Sequence, residues 1–386
     1  MTGSRLAQIV SRYRRLKVVV AGDFCLDRYL HVDPALEEVS IETRLPAHQV
    51  VKVRAQPGGA GTVLANVAAL RPAELRAVGV CGLDGEGVEL VAALRGLGVD
   101  LGGFIPTPAR MTFTYTKPLR VRPHRPPREL SRLDIRDRTP PPPALVRRIM
   151  KNLRRAMLGA DAVILLEQAP DAACGVLSPV VKIGVAKLAR TMRNRPPVMI
   201  ADSRCNVLEF QGVDVKVNRR ELRRCLGTGG DAGTLARRLA RRLGQRVFVT
   251  CGRDGMLSAD PAGRVCRCPG VRVEGPIDPV GAGDAVMAHL AMALAAGATQ
   301  AEAIELANLA GAIVVHKIGT TGTATAAELT AAARALTASI GTGRRSTRRV
   351  SGASAGRRAG GASAPRSGTG PGAAGRAAGG RKRRRR

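Results

Sequence analysis

Residues 275–297 read GPIDPVGAGDAVMAHLAMALAAG, and fold and chemistry both turn on them. Asp278 and Asp284 stand on either side of Gly281, Ala282 and Gly283, small residues that let a backbone approach a ligand closely. An apolar, alanine-rich run follows at once, so the glycine turn is expected to open a buried helix. The first N–H groups of such a helix lack partners within it and carry the positive end of its dipole. A helix end of this kind binds anions, phosphate above all. Asp284 falls in the first turn beside that anion site, where a lone carboxylate would repel phosphate unless it has another task. Taking a proton from a hydroxyl that attacks phosphorus is such a task. The plain alternative is a glycine turn with an aspartate cap. Two other phosphate motifs fail on the letters: a P-loop needs lysine and then a hydroxyl residue after its second glycine, and a dinucleotide fingerprint needs a third small residue where Val286 stands.

Upstream, KVVVAGD (17–23) is a β-branched run ending in Gly-Asp, the pattern of a buried strand followed by a functional loop. It returns at RAVGVCG (76–82), DAVILLE (161–167), PVMIADS (197–203), VDVKVN (213–218) and QRVFVTCG (245–252). Helical stretches lie between them: TVLANVAAL, EGVELVAALRGLG, PALVRRIMKNLRRAM, SPVVKIGVAKLARTMR and TLARRLARRLG. This alternation predicts an α/β fold with a mostly parallel central sheet and helices on both faces. Residues 28–56 and 110–134 break the pattern with short alternating pieces such as HQVVKVRA, MTFTYTKPLRV and ELSRLDI. They are expected to be antiparallel strands added at one edge as a small β lid. The run RTPPPP (138–143) reads as a rigid connection. The expected division is a domain over 1–340 and a disordered Arg/Gly/Ala-rich basic tail over 341–386, which has almost nothing to bury.

The chain's 62 Lys and Arg against 30 Asp and Glu give a net charge of +32. From Gly341 onward there are 14 basic residues and no acid, which leaves +18 on the remainder. Only nine of the 62 are Lys, and Arg, Ala, Gly and Pro are abundant throughout, as compositional drift would produce. Aromatic residues make up 2% and Trp is absent, so the stacking platforms of single-strand nucleic-acid binding are scarce. The basic tail is where weak binding of nucleic acid or another polyanion is expected. Eight cysteines (25, 81, 174, 205, 225, 251, 266, 268) form no CxxC and read as reduced thiols. No apolar run is long enough to span a membrane and no signal-peptide core is present, so the expectation is a cytoplasmic protein with no membrane role.

The acids fall just past the carboxyl ends of the expected strands, where open α/β sheets place their ligands. Asp23 and Asp27 follow the first strand, Asn218 and Glu221 follow VDVKV, and Thr250, Gly252 and Gly255 follow QRVFV. With DPVGAGD (278–284), PGGAGTVLAN (57–66), VNRRE (217–221), TCGRDG (250–255) and GLDGEG (82–87), the chain resembles the ribokinase-like carbohydrate kinases, the PfkB family. GDFCLDRY, TYTKPLR with ELSRLD, and ELANLAGAIVVHKIGT resemble its heptose 7-phosphate kinase branch. The resemblance runs from residue 17 to about 337 and implies ATP-dependent phosphorylation of a sugar or sugar phosphate hydroxyl. It makes Asp284 the base and the N–H groups of Gly281, Ala282 and Gly283 the anion hole. Asn218 and Glu221 then organise Mg²⁺, and Thr250, Gly252, Gly255 and Asn308 belong to the ATP side. Asp27, Gly58 and Gly59 meet the sugar, Asn66 either joins that pocket or caps packing in its helix, Lys117 and Arg120 either meet a phosphate already on the sugar or form a solvated lid face, and Asp278 lies beside a monovalent cation such as K⁺. A homodimer through the β lid is a further expectation.

Period-two alternation along TYTKPLRVR sends Arg120 and Arg122 to one face and Lys117 to the other. Three departures from the family pattern stand out. Thr62 replaces an asparagine, Val280 a common threonine, and His289 a small residue; the histidine reads as a satisfied helix residue. Two other readings follow: a kinase fold acting on a nucleoside or other alcohol, and a polyanion-binding protein on a kinase relic. A relic has no reason to keep Asp284, Asn218, Glu221 and the glycines together.

Overall fold

A computed structural model describes residues 1–192, 196–204, 207–227, 229–319 and 321–336. Residues Met1–Ala338 form one compact unit. The basic tail at 341–386, the 340/341 boundary and Cys205 lie outside the described residues.

The chain opens with α1 (Gly3–Arg12) and β1 (Lys17–Gly22), then forms a long hairpin from β2 (Phe24–Val39) and β3 (Pro46–Gly59). α2 (Ala60–Ala69), β4 (Glu74–Val78), β5 (Val80–Cys81), α3 (Gly85–Gly96) and β6 (Ile105–Pro106) follow, then β7 (Thr114–Arg122), β8 (Arg125–Glu129) and β9 (Leu133–Ile135). The second half alternates through α4 (Pro143–Met157), β10 (Ala162–Glu167), α5 (Pro179–Thr191), β11 (Val198–Ser203), β12 (Asp214–Asn218), α6 (Arg219–Leu226), α7 (Ala232–Leu243) and β13 (Val247–Thr250). It closes with β14 (Met256–Ala259), β15 (Val265–Cys268), α8 (Ala282–Ala295) and α9 (Gln300–Val314).

The main sheet has the order β15-β14-β13-β12-β11-β10-β1-β4, parallel from β4 to β13. Every residue of β10, AVILLE, is buried, as a strand covered on both faces requires. Alternation divides the core in two: Val18 and Val20 enter one cluster with α1, α2, α3, α8 and α9, while Val19 and Ala21 enter the other with α4 to α7. The two antiparallel strands at the sheet's far edge, β14 and β15, were not foreseen, since four-residue pieces give little periodicity.

The lid is a separate five-stranded sheet, not an extension of the main one, with β3-β2-β7-β8 in order and β9 on β7. Its central pair, β2 with β7, is parallel. The expectation of antiparallel pairing fails there because β7 reaches β2 only after a crossover through α2, β4 and α3, and so arrives in the same direction.

Candidate active site

Strands β1, β10, β11, β12 and β13 end side by side at Gly22, Glu167, Ser203, Asn218 and Thr250. At Gly22 φ is +142° and a Cβ would lie 2.0 Å from the Leu166 carbonyl oxygen, so only glycine lets the chain turn out here. The next residue, Asp23, accepts from the N–H groups of Gln168, Ala169 and Val176 at 2.7–2.8 Å. It therefore shapes the loop after β10. Asp27 follows on β2 and is 8% exposed. Its Oδ1 accepts from Lys117 Nζ at 2.8 Å, and a Cβ on Gly58 would come within 2.6 Å of its Oδ2. Gly58 is thus fixed by the carboxylate it faces.

The glycine turn forms as the sequence implies. Gly281 is left-handed at φ +81° and precedes α8, and residues Ala285 to Leu294 of that helix are all buried. Asp284 lies in its first turn. Beneath the turn stands Lys216 from the middle of β12, whose Nζ would be 3.8 Å from a Cβ on Gly283. Lys216 pairs with Asp202, its register partner on β11, and the two are 5% and 8% exposed. Burial pushes the Asp284 carboxyl up to about 7; Asp202 and Asp27 add to the rise, while Lys216 and Arg204 oppose it. Burial also opposes the Lys216 charge, but Asp202, Asp284 and Glu221 outweigh it and hold its pKa above the ordinary value. The result is a carboxylate poised near neutrality beside a buried ammonium and a positive helix end, an arrangement that can accept a proton and stabilise a phosphoryl group.

Sequence reasoning missed Lys216, Asp202 and Arg204. A signal existed: a lysine inside the β-branched run VDVKV is rare in a buried strand unless paired. Of the expected anion-hole groups, the Ala282 N–H donates to the Pro279 carbonyl at 3.2 Å, whereas the first-turn N–H groups of Gly283 and Asp284 have no partner within the helix.

On the other side of the turn, Asn218 and Thr250 are register neighbours at the ends of β12 and β13. Asn218 and Glu221 form a capping box at the start of α6: the Asn218 side chain accepts from the Glu221 N–H at 2.9 Å, and Glu221 Oε2 accepts from the Asn218 N–H at 2.7 Å. Gly252 and Gly255 have φ of +61° and +89°, and a Cβ at 255 would lie 2.2 Å from the Cys268 carbonyl oxygen. Asn308 donates to the Pro269 carbonyl at 2.9 Å and so anchors the segment after β15 to α9. Asp278 accepts from Val280 and Gly319 N–H groups, joining the loop before α8 to the one after α9. Among the described residues no cluster of three or more metal-ligating side chains occurs. Glu221 keeps Oε1 outside its cap bond, and Mg²⁺, which keeps much of its water, needs only one or two carboxylates plus substrate phosphates.

Asn66 is fully buried, donating to the Thr62 carbonyl at 3.0 Å and to the Gly322 carbonyl at 3.5 Å, and so braces α2. Thr62 is buried too, its hydroxyl donating to the Pro57 carbonyl. Arg120 pairs in register with Val32, whereas Lys117 pairs with Tyr29 on the face that carries Asp27. Alternation therefore sets Arg120 on the opposite face from Asp27. Between Arg120 and Arg122 the register shifts by one residue, the extra residue lying on β8. His289 is buried, hydrogen-bonded to the Ala324 carbonyl at 3.1 Å, and burial brings its pKa down to about 4.

Comparison with solved structures identifies the fold as ribokinase-like. The ribokinase of Arabidopsis thaliana, solved with ribose and ATP, is 19% identical and covers 82% of this chain and 98% of its own at a TM-score of 0.60. Phosphofructokinase-2 from Escherichia coli, solved with potassium, is 17% identical and covers 84% and 99% at 0.63. In sequence, residues 186–327 match the pfkB family carbohydrate kinase. The D-beta-D-heptose 7-phosphate kinase of Bordetella bronchiseptica is 33% identical over 325 residues, 82% of this chain and 96% of that protein. The bifunctional protein HldE of Caulobacter vibrioides is 34% identical over 339 residues, 85% of this chain; the chain spans 65% of that relative's length. The chain belongs to the pfkB family of carbohydrate kinases.

Proposed function

We propose that this chain transfers the γ-phosphoryl group of ATP to a hydroxyl of a sugar phosphate, with a heptose 7-phosphate as acceptor. The observation that carries this reading is Asp284, raised to about 7 in the first turn of α8, with Lys216 beneath the glycine turn and Asp27 near enough to add to the rise. In it, Asp284 takes the proton of the attacking hydroxyl, and the N–H groups of Gly281 and Gly283 with the Lys216 ammonium receive the transferring phosphoryl group. Asp27 and the Gly58–Gly59 backbone hold sugar hydroxyls. Lys117, bonded to Asp27 and to the Tyr29 hydroxyl, orients that carboxylate and meets the acceptor's phosphate. Asn218 and Glu221 would hold Mg²⁺ through its waters, and the ion would neutralise charge on the phosphates. The loops joined by Asp278 would hold K⁺. The lid's exposed Val39, Ile41, Val50 and Val53 support a homodimer through this sheet.

The test is ATP turnover against a panel of sugars and sugar phosphates. The highest kcat/KM is expected with an aldoheptose 7-phosphate. Equal turnover of a free sugar or a nucleoside would overturn the acceptor class. Lys117→Met should raise the acceptor KM about tenfold or more, about 1.4 kcal/mol, and leave the ATP KM unchanged. Arg120→Ala, on the far face, should change the acceptor KM by less than about twofold, within the usual range for a surface substitution; a large effect would return Arg120 to the site.

A further inference from the structure

The two helix layers differ sharply in charge. α4, α5, α6 and α7, which cover the second core, read PALVRRIMKNLRRAM, PVVKIGVAKLART, RRELRRCL and AGTLARRLARRL. They carry 16 Lys and Arg against one acid, Glu221. α1, α2, α3, α8 and α9, on the first core, carry three basic residues against five acids. α2 and α8 are too buried to carry surface charge, but the more exposed α1, α3 and α9 hold three basic residues against four acids, so compositional drift toward arginine does not by itself explain the segregation. Of the 16, Lys182 is buried with Glu167 and Glu209, and Arg219 reaches Asp254; the other 14 are exposed.

We infer that the α4–α7 face is a docking surface for an anionic phospholipid bilayer. Charge complementarity supplies the attraction, about 1 kcal/mol for each Lys or Arg near such a surface, and no acid but Glu221 on these helices opposes it. The same face offers apolar contact: Val180 and Ile183, one turn apart on α5, are 63% and 59% exposed. A nucleic acid fits less well, because none of the four helices carries an aromatic residue on which a base could stack. The attachment is peripheral; among the described residues no helix is long and apolar enough to cross a membrane.

The test is co-sedimentation of the full chain with phosphatidylcholine vesicles, with and without phosphatidylglycerol. Binding is expected only to the anionic vesicles and should weaken steeply with salt. The quadruple variant Arg148→Glu, Lys151→Glu, Arg238→Glu, Arg242→Glu should lose about a hundredfold or more in partitioning, with melting temperature and kinase kcat/KM unchanged. Val180→Asp with Ile183→Asp should independently lose about tenfold. A control that reverses the same number of charges at Arg383 to Arg386 should keep most of the binding. Loss in that control but not in the α4–α7 variant would overturn the proposal, as would tighter binding to duplex DNA than to anionic vesicles at equal phosphate concentration.

Discussion

Asp284→Asn is expected to lower kcat/KM by about 10² to 10⁴, the usual effect of losing a general base, while ATP binding stays close to the parent's. Its pH behaviour identifies the residue more sharply than the loss itself. The carboxyl titrates at about 7 in the folded protein against 3.8 ordinarily. As a base it must be ionised, so the parent's kcat/KM should climb with pH and level off above about 7. The effect on stability has the opposite sense. Between pH 4 and 7 the folded protein keeps a proton that the unfolded chain has released, so the group's stabilising contribution is complete below 3.8 and is lost as pH rises through about 7. Asparagine does not titrate. The variant should therefore melt several degrees above the parent at pH 8, corresponding to a few kcal/mol at most, and the difference should vanish near pH 4. A variant that retains turnover within a few-fold, or melts below the parent at pH 8, would remove Asp284 from its assigned role.

Lys216→Met should do damage of a different kind. It strands Asp202, 8% exposed, without its partner, and breaking a buried pair in this way typically costs about 3–5 kcal/mol. Unfolding in urea at pH 8 should report that loss. With the ammonium gone, the Asp284 carboxyl should titrate above its present value of about 7, moving any residual pH profile toward alkaline pH. The double variant Lys216→Met, Asp202→Leu separates stability from catalysis: it should regain most of the stability and none of the rate. If it regains the rate as well, the pair serves the fold alone.

The glycine turn and the strand ends were legible because their signals are local. A β-branched run ending in Gly-Asp, or a glycine cluster before an alanine-rich helix, needs no knowledge of neighbours. Lys216 and Asp202 were not read as a pair because their meaning depends on register: each looks like a stray charge until β11 and β12 align them. Asn66 shows the same dependence: it stands a few residues after Gly58 and Gly59, and only the fold shows α2 turning it inward against Thr62 and Gly322. Lys117 and Arg120 are three apart in one strand, and only the pairing with β2 shows which of them shares a face with Asp27. The charge segregation between helix layers was hidden by the net figure, since a total of +32 says nothing about sides.

The Asn218–Glu221 capping box gives α6 a helix start that holds itself. Each residue satisfies an N–H of the other. Glu221 spends Oε2 on the cap and keeps Oε1 outside it, and an N-cap is worth about 1 kcal/mol. The two residues assigned above to the metal's waters are therefore set in place by the backbone they cap, so replacing either with alanine would loosen the start of α6 and the proposed metal-binding oxygen together.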